Sequence, residues 1–184
     1  MKENLSGFNM NKRITDGVIQ KLYTEFNTPE HVKGHCKGVT DCALRIAKAL
    51  NEHGYNLDLE MIYGAGMTHD MARVQDRHWD VAADKLEELG YFDEAKIVRV
   101  HMKPYYYSPI DEVTESDMIN LGDRLVKESE YVGIDERFEY ILNKAKQAGR
   151  DDSERILNNK KKMKHLLDDI EERIGCTIDS LFDK

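Results

Sequence analysis

Apolar residues recur along most of this chain at intervals of three and four, the spacing of one helix face. Runs that alternate β-branched and polar residues, the mark of half-buried strands, are absent. The pattern predicts an all-α protein. Its longest stripe is Val32, Cys36, Val39, Ala43, Ile46 and Leu50, with Thr28-Pro29-Glu30 supplying a cap and a first-turn proline and Gly54 a stop. Asp58 caps a following helix that runs through Ile62 and Ala65 to the doublet His69-Asp70. After a loop, Trp79 to Leu89 forms the next helix, stopped at Gly90, and Asp93 starts another that ends near His101.

Between Lys103 and Asp111 two prolines force extended backbone, making this the main internal loop. Thr114 with Asp117 resembles a capping box for a helix carrying Met118, Ile119 and Asp123, with Asp in the usual place of Glu or Gln. Helices at about 136 to 148 and 153 to 174 complete the body, and residues 1 to about 10 are expected to be loose.

Composition fits this picture. The chain has 184 residues, 40% hydrophobic and 34% charged, the size of one domain, and no apolar run approaches the roughly 20 residues of a membrane span. The N-terminus lacks a secretory pattern. The three cysteines form no CxxC pair, which together point to a cytoplasmic protein with reduced thiols, Cys36 and Cys42 serving as small core residues. A net charge of -8 opposes binding to long nucleic acid. Lys160 to Lys164 reads as the solvated face of an amphipathic helix.

Set on this scaffold, His35, His69, Asp70, His78, His101 and Asp123 fall on five successive helices, several of them one turn from an apolar position. An inward-facing carboxylate is costly unless it is paired or binds a cation. Imidazoles converging with two carboxylates suit divalent Fe, Mn, Co or Ni, with Mg or Zn as further options, and lack the thiolates of a structural zinc site. Residue by residue, blander roles stand beside these. A core histidine can simply be hydrogen-bonded, Asp123 can pair with Arg124 or Lys127, Asp70 can end a helix and His78 can cap one.

The order His, His-Asp, Asp resembles the HD superfamily of metal-dependent phosphohydrolases. His35 matches the first ligand, Gly66-Met-Thr-His-Asp-Met-Ala-Arg73 the doublet block, and Asn120-Leu-Gly-Asp123-Arg-Leu the last. Within it the chain is most similar to small bacterial HDIG-type proteins, which also carry histidines in positions like His78 and His101. The resemblance implies a helical bundle, with 1–27 as an N-terminal segment bearing an accessory helix, 28–130 as the metal-binding core and 131–184 as helices packed on it. It implies two ions, one held by His35, His69 and Asp123 and one by His78 and His101, with Asp70 shared. The implied activity is hydrolysis of a phosphoester or phosphoanhydride in a small, nucleotide-like substrate.

Arg73 and Lys103 are the first candidates to hold its phosphate beside the catalytic Asp70, with Arg77 and Arg124 behind them. His31 is placed either near the metal's outer shell or in solvent. Tyr105 to Tyr107 are either a nucleobase wall or loop packing. Met71-Ala72 stands where Ile-Gly is usual, and neither the Gly-Tyr-Pro signature of cyclic-di-GMP phosphodiesterases nor the Glu-Asp motif of alarmone hydrolases is present. Some HD proteins of similar ligand set are di-iron oxygenases, and a non-catalytic domain binding a nucleotide or a partner is the third class. The sequence leaves the oligomeric state open.

Overall fold

A computed structural model describes residues 12–103 and 105–182. The helices run in the order α1 (Asp16–Glu25), α2 (Glu30–Glu52), α3 (Leu59–Thr68), α4 (His78–Glu88), α5 (Phe92–Val100), α6 (Glu115–Leu125), α7 (Gly133–Gln147) and α8 (Ser153–Ile174). The all-α expectation holds. The looseness expected of residues 1 to 10 falls outside the described residues.

The stripe of α2 is buried as its spacing requires, from Val32 and Cys36 to Ile46 and Leu50. It packs on α3 and α6, and with α7 and α8 these helices enclose one apolar cluster that includes Ile62, Ile119, Leu121, Met163 and Ile170. A second cluster joins α1, α4 and α5 through Ile19, Leu22, Leu86 and Val98. Met71 and Ala72, directly after the doublet, belong to this second cluster, whereas Ile62 and Ala65 of α3 belong to the first. His69-Asp70 therefore lies where the two cores meet.

Three local outcomes differ from the sequence pattern. Pro29, not Thr28, is the residue flanking α2; the Thr28 hydroxyl donates instead to the Met71 carbonyl at 2.6 Å, tying the start of α2 to the doublet loop. His78 is the first residue of α4 rather than its cap, because Arg77 takes a left-handed conformation (φ 51°) just before it. The third is a two-stranded antiparallel hairpin, β1 (Val126–Lys127) with β2 (Glu130–Tyr131), which no periodicity reveals in strands of two residues. Its turn includes Glu128 at φ 56°.

The capping box at Thr114 and Asp117 forms with aspartate. Buried Asp117 also accepts from the Tyr105 hydroxyl at 3.0 Å and the Ser108 amide at 3.1 Å, pinning the proline-containing loop to the start of α6. Tyr105 thus serves loop packing, and Tyr106 is 77% exposed. Cys36 and Cys42 are buried and Cys176 is exposed. Among the described residues no helix is long and apolar enough to cross a membrane.

Candidate metal centre

Three helices and the ends of two others bring the six predicted ligands to one place. His35 comes from the second turn of α2, His69 and Asp70 from the end of α3, His78 from the start of α4, His101 from the end of α5, and Asp123 from α6. Close helix approach makes this convergence feasible. A Cβ on Gly122 of α6 would sit 2.7 Å from the Val39 carbonyl of α2, and one on Gly66 of α3 would sit 2.4 Å from the Thr40 hydroxyl oxygen. Glycine at 122 lets α6 close on the α2 backbone, and glycine at 66 lets α3 close on the Thr40 side chain.

Backbone carbonyls orient the imidazoles. The Nδ1–H of His69 donates to the Gly66 carbonyl at 2.8 Å and that of His101 to the Val98 carbonyl at 2.7 Å, each one turn back in its own helix. His35 Nδ1 meets the Glu128 carbonyl of the hairpin at 2.8 Å. With a proton on Nδ1, a neutral imidazole at these positions has its Nε2 lone pair free to face the cluster. His69 Nε2 is buried and has no hydrogen-bond partner among the described residues.

Those nitrogens surround one carboxylate. Asp70 Oδ1 lies 3.0 Å from His78 Nε2 and 3.3 Å from His101 Nε2, while Oδ2 lies 4.0 Å from His35 Nε2 and 3.9 Å from His69 Nε2. Two groups able to hold a cation result, His35 with His69 and Asp70, and His78 with His101 and Asp70. Lone pairs converging on an anion repel unless a cation lies among them, so this donor set fits divalent metal. Asp123 approaches His35 Nε2 at 3.2 Å through Oδ1, and its Oδ2 accepts from Arg124. The pairing with Arg124 read from sequence is thus present, whereas Lys127 pairs with Glu136.

The electrostatics follow from burial and proximity. Burial pushes the His69 imidazole down to about 4, against the pull of Asp70. Burial alone raises the Asp70 carboxyl, but His69, His101 and His78 together hold it far below the usual range. Burial likewise opposes ionisation of Asp123, and Arg124 and His35 overcome it. For His35 burial is outweighed by Asp123, and its value rises.

The remaining candidates divide. Arg73 reaches the centre, with Nη1 3.3 Å from Asp70 Oδ1 and 3.2 Å from His78 Nε2. Lys103 is exposed and its charge acts on Asp80, outside the hydrogen bonds and ion pairs of the cluster. Arg77 also pairs with Asp80, and His31 is exposed in the first turn of α2. Sequence reasoning passed over Arg137 of α7, whose Nε and Nη2 donate to the Asp123 carbonyl at 3.3 Å. It also passed over the Glu128 carbonyl, which depends on the unforeseen hairpin. A separate cavity of about 430 Å³, lined in part by Tyr55, Glu115 and Arg173, lies at the other end of α2.

The chain is similar to the uncharacterized protein MJ0778 of Methanocaldococcus jannaschii, at 27% identity over 62% of this chain and 79% of that protein. No protein-family model matches the chain. No solved structure matches it either.

Proposed function

We propose that this protein is a metal-dependent phosphohydrolase that uses two divalent transition ions sharing Asp70. The observation that carries the reading is the division of labour on that carboxylate, one oxygen facing His78 and His101, the other His35 and His69. When bound, such ions lower the pKa of a water and polarise a phosphoryl oxygen, so no nucleophilic side chain is needed.

The protein's own groups do the rest. Gly66, Val98 and Glu128 carbonyls keep the protons of His69, His101 and His35 on Nδ1, so that Nε2 stays available. Asp70 and Asp123 supply the negative charge that favours cations over protons at this spot. Arg73, reaching Asp70 and His78 while still 46% exposed, is placed to grip a phosphoryl oxygen from the solvent side. Water attacks phosphorus, the P–O bond to the leaving group breaks, and the leaving oxygen takes up a proton. The substrate is a small phosphorylated, nucleotide-like molecule; the HD pattern of His35, His69-Asp70 and Asp123 supports this.

Turnover of bis(p-nitrophenyl) phosphate and of nucleotides by protein loaded with Mn, Fe, Co or Ni tests the reading. Metal-dependent phosphate ester cleavage, lost in Asp70→Ala, is the expected result. Metal-loaded protein that cleaves none of them overturns it, and oxygen consumption by the iron form without phosphate release would assign it to oxygenase chemistry instead.

A further inference from the structure

We propose that Arg137, with Arg124 and Arg73, forms a receptor for a dianionic terminal phosphate, which makes phosphomonoesters the preferred substrates of the centre. The inference rests on the hydrolase reading for its catalytic part and on the geometry of three guanidiniums for its binding part. Arg73 contacts the centre at the Asp70 and His78 end. Arg124 and Arg137 contact it at the other end, Arg124 on Asp123 Oδ2 and Arg137 with Nη2 3.9 Å from Asp123 Oδ1.

Charge and burial say what these arginines are for. Three guanidinium cations face two carboxylates, and every divalent ion held there adds to the positive excess. Arg137 is largely buried, with a side chain only 14% exposed, and its pair of hydrogen bonds goes to a neutral carbonyl rather than to a carboxylate. Its Nη1 makes no hydrogen bond among the described residues. Arg124 and Arg137 share the single carboxylate of Asp123, so a further anion at this end would complete the pairing of Arg137. A phosphomonoester brings two negative charges and three terminal oxygens, where an internal diester brings one charge and two.

Arg137 is by this account a specificity residue. The test uses the full chain loaded with Mn²⁺, as wild type, Arg137→Gln and Arg137→Lys, checked for equal metal content. Inorganic phosphate is titrated calorimetrically, and steady-state kinetics are measured on p-nitrophenyl phosphate and its bis ester. The expected result is phosphate binding weakened tenfold or more in Arg137→Gln. KM for the monoester should rise by a similar factor, with kcat within about threefold, diester constants little moved and partial recovery in Arg137→Lys. Unchanged phosphate affinity and monoester KM in Arg137→Gln, or a wild type that prefers the diester, would overturn it. If neither ester is cleaved, the hydrolase reading fails, and the titration still decides the receptor: binding that depends on Arg137 supports it and binding indifferent to Arg137 refutes it. Should Arg137→Gln fail to fold, Arg137→Lys carries the same comparison with a smaller expected loss.

Discussion

His69 combines full burial, an Nδ1 held by the Gly66 carbonyl and an Nε2 without a partner among the described residues, and its burial has a measurable consequence. Its imidazole titrates near 6.5 in an unfolded chain and near 4 in the folded one. Between those values the unfolded state takes up the proton and the native state does not. Its contribution to stability is therefore whole above the upper value and is lost as pH falls toward the lower one, by up to about 1.4 kcal/mol per pH unit. Urea melts of metal-free protein at pH 7 and pH 5 check this, and His69→Gln should flatten the difference. Glu94 of α5 gives the opposite slope. Among the described residues its buried carboxylate has no hydrogen-bond partner, and burial raises its pKa despite Arg13 at 3.9 Å. The folded state keeps that proton more tightly, so stability is greatest below the unfolded value and declines as pH rises through the folded one. Glu94→Gln should raise stability at pH 7, on the order of 1 kcal/mol, in the same melts.

Among elements, the hairpin after α6 controls His35 from outside its own helix. A Cβ on Gly38 of α2 would lie 2.4 Å from the Ser129 carbonyl oxygen and 2.8 Å from its carbon, in the turn that also carries Glu128. Gly38→Ala should push that turn away, costing about 1–3 kcal/mol. It should also weaken metal binding by about tenfold or more, since His35 loses its orienting carbonyl. Calorimetric metal titration beside a thermal melt separates the two effects. The same contrast marks what sequence makes legible. The long stripes of α2 and α8 and the cap at Thr114 are local, and their spacing reveals them. The candidate ligands are legible because each lies on, or directly after, a helix that its spacing reveals. The hairpin has too few residues to leave a period, and Arg137 meets Asp123 only because α7 packs on α6. Lys103 illustrates the reverse: two residues from His101 in the chain, its exposed side chain sends its charge toward Asp80.

For the molecule as a whole, the centre joins two hydrophobic clusters that α3 and its following loop connect, so metal binding should stabilise both together. A ligand present at a hundred times its dissociation constant adds about 2.7 kcal/mol to a native state that alone binds it. In a protein of this size each kcal/mol raises Tm by about 2–4 °C. Saturating Mn²⁺ should therefore lift a single transition by several degrees, and EDTA should reverse it. Asp70→Ala should abolish the shift. Whether Asp70 lies between two ions is decided by anomalous diffraction from metal-soaked crystals, with elemental analysis of the same protein. The expected result is two peaks per chain, one about 2.1 Å from His35 and His69 Nε2 and one about 2.1 Å from His78 and His101 Nε2, with the Asp70 carboxylate between them. No peak among these residues at millimolar metal, or ions bound as well by Asp70→Ala as by the wild type, would contradict it.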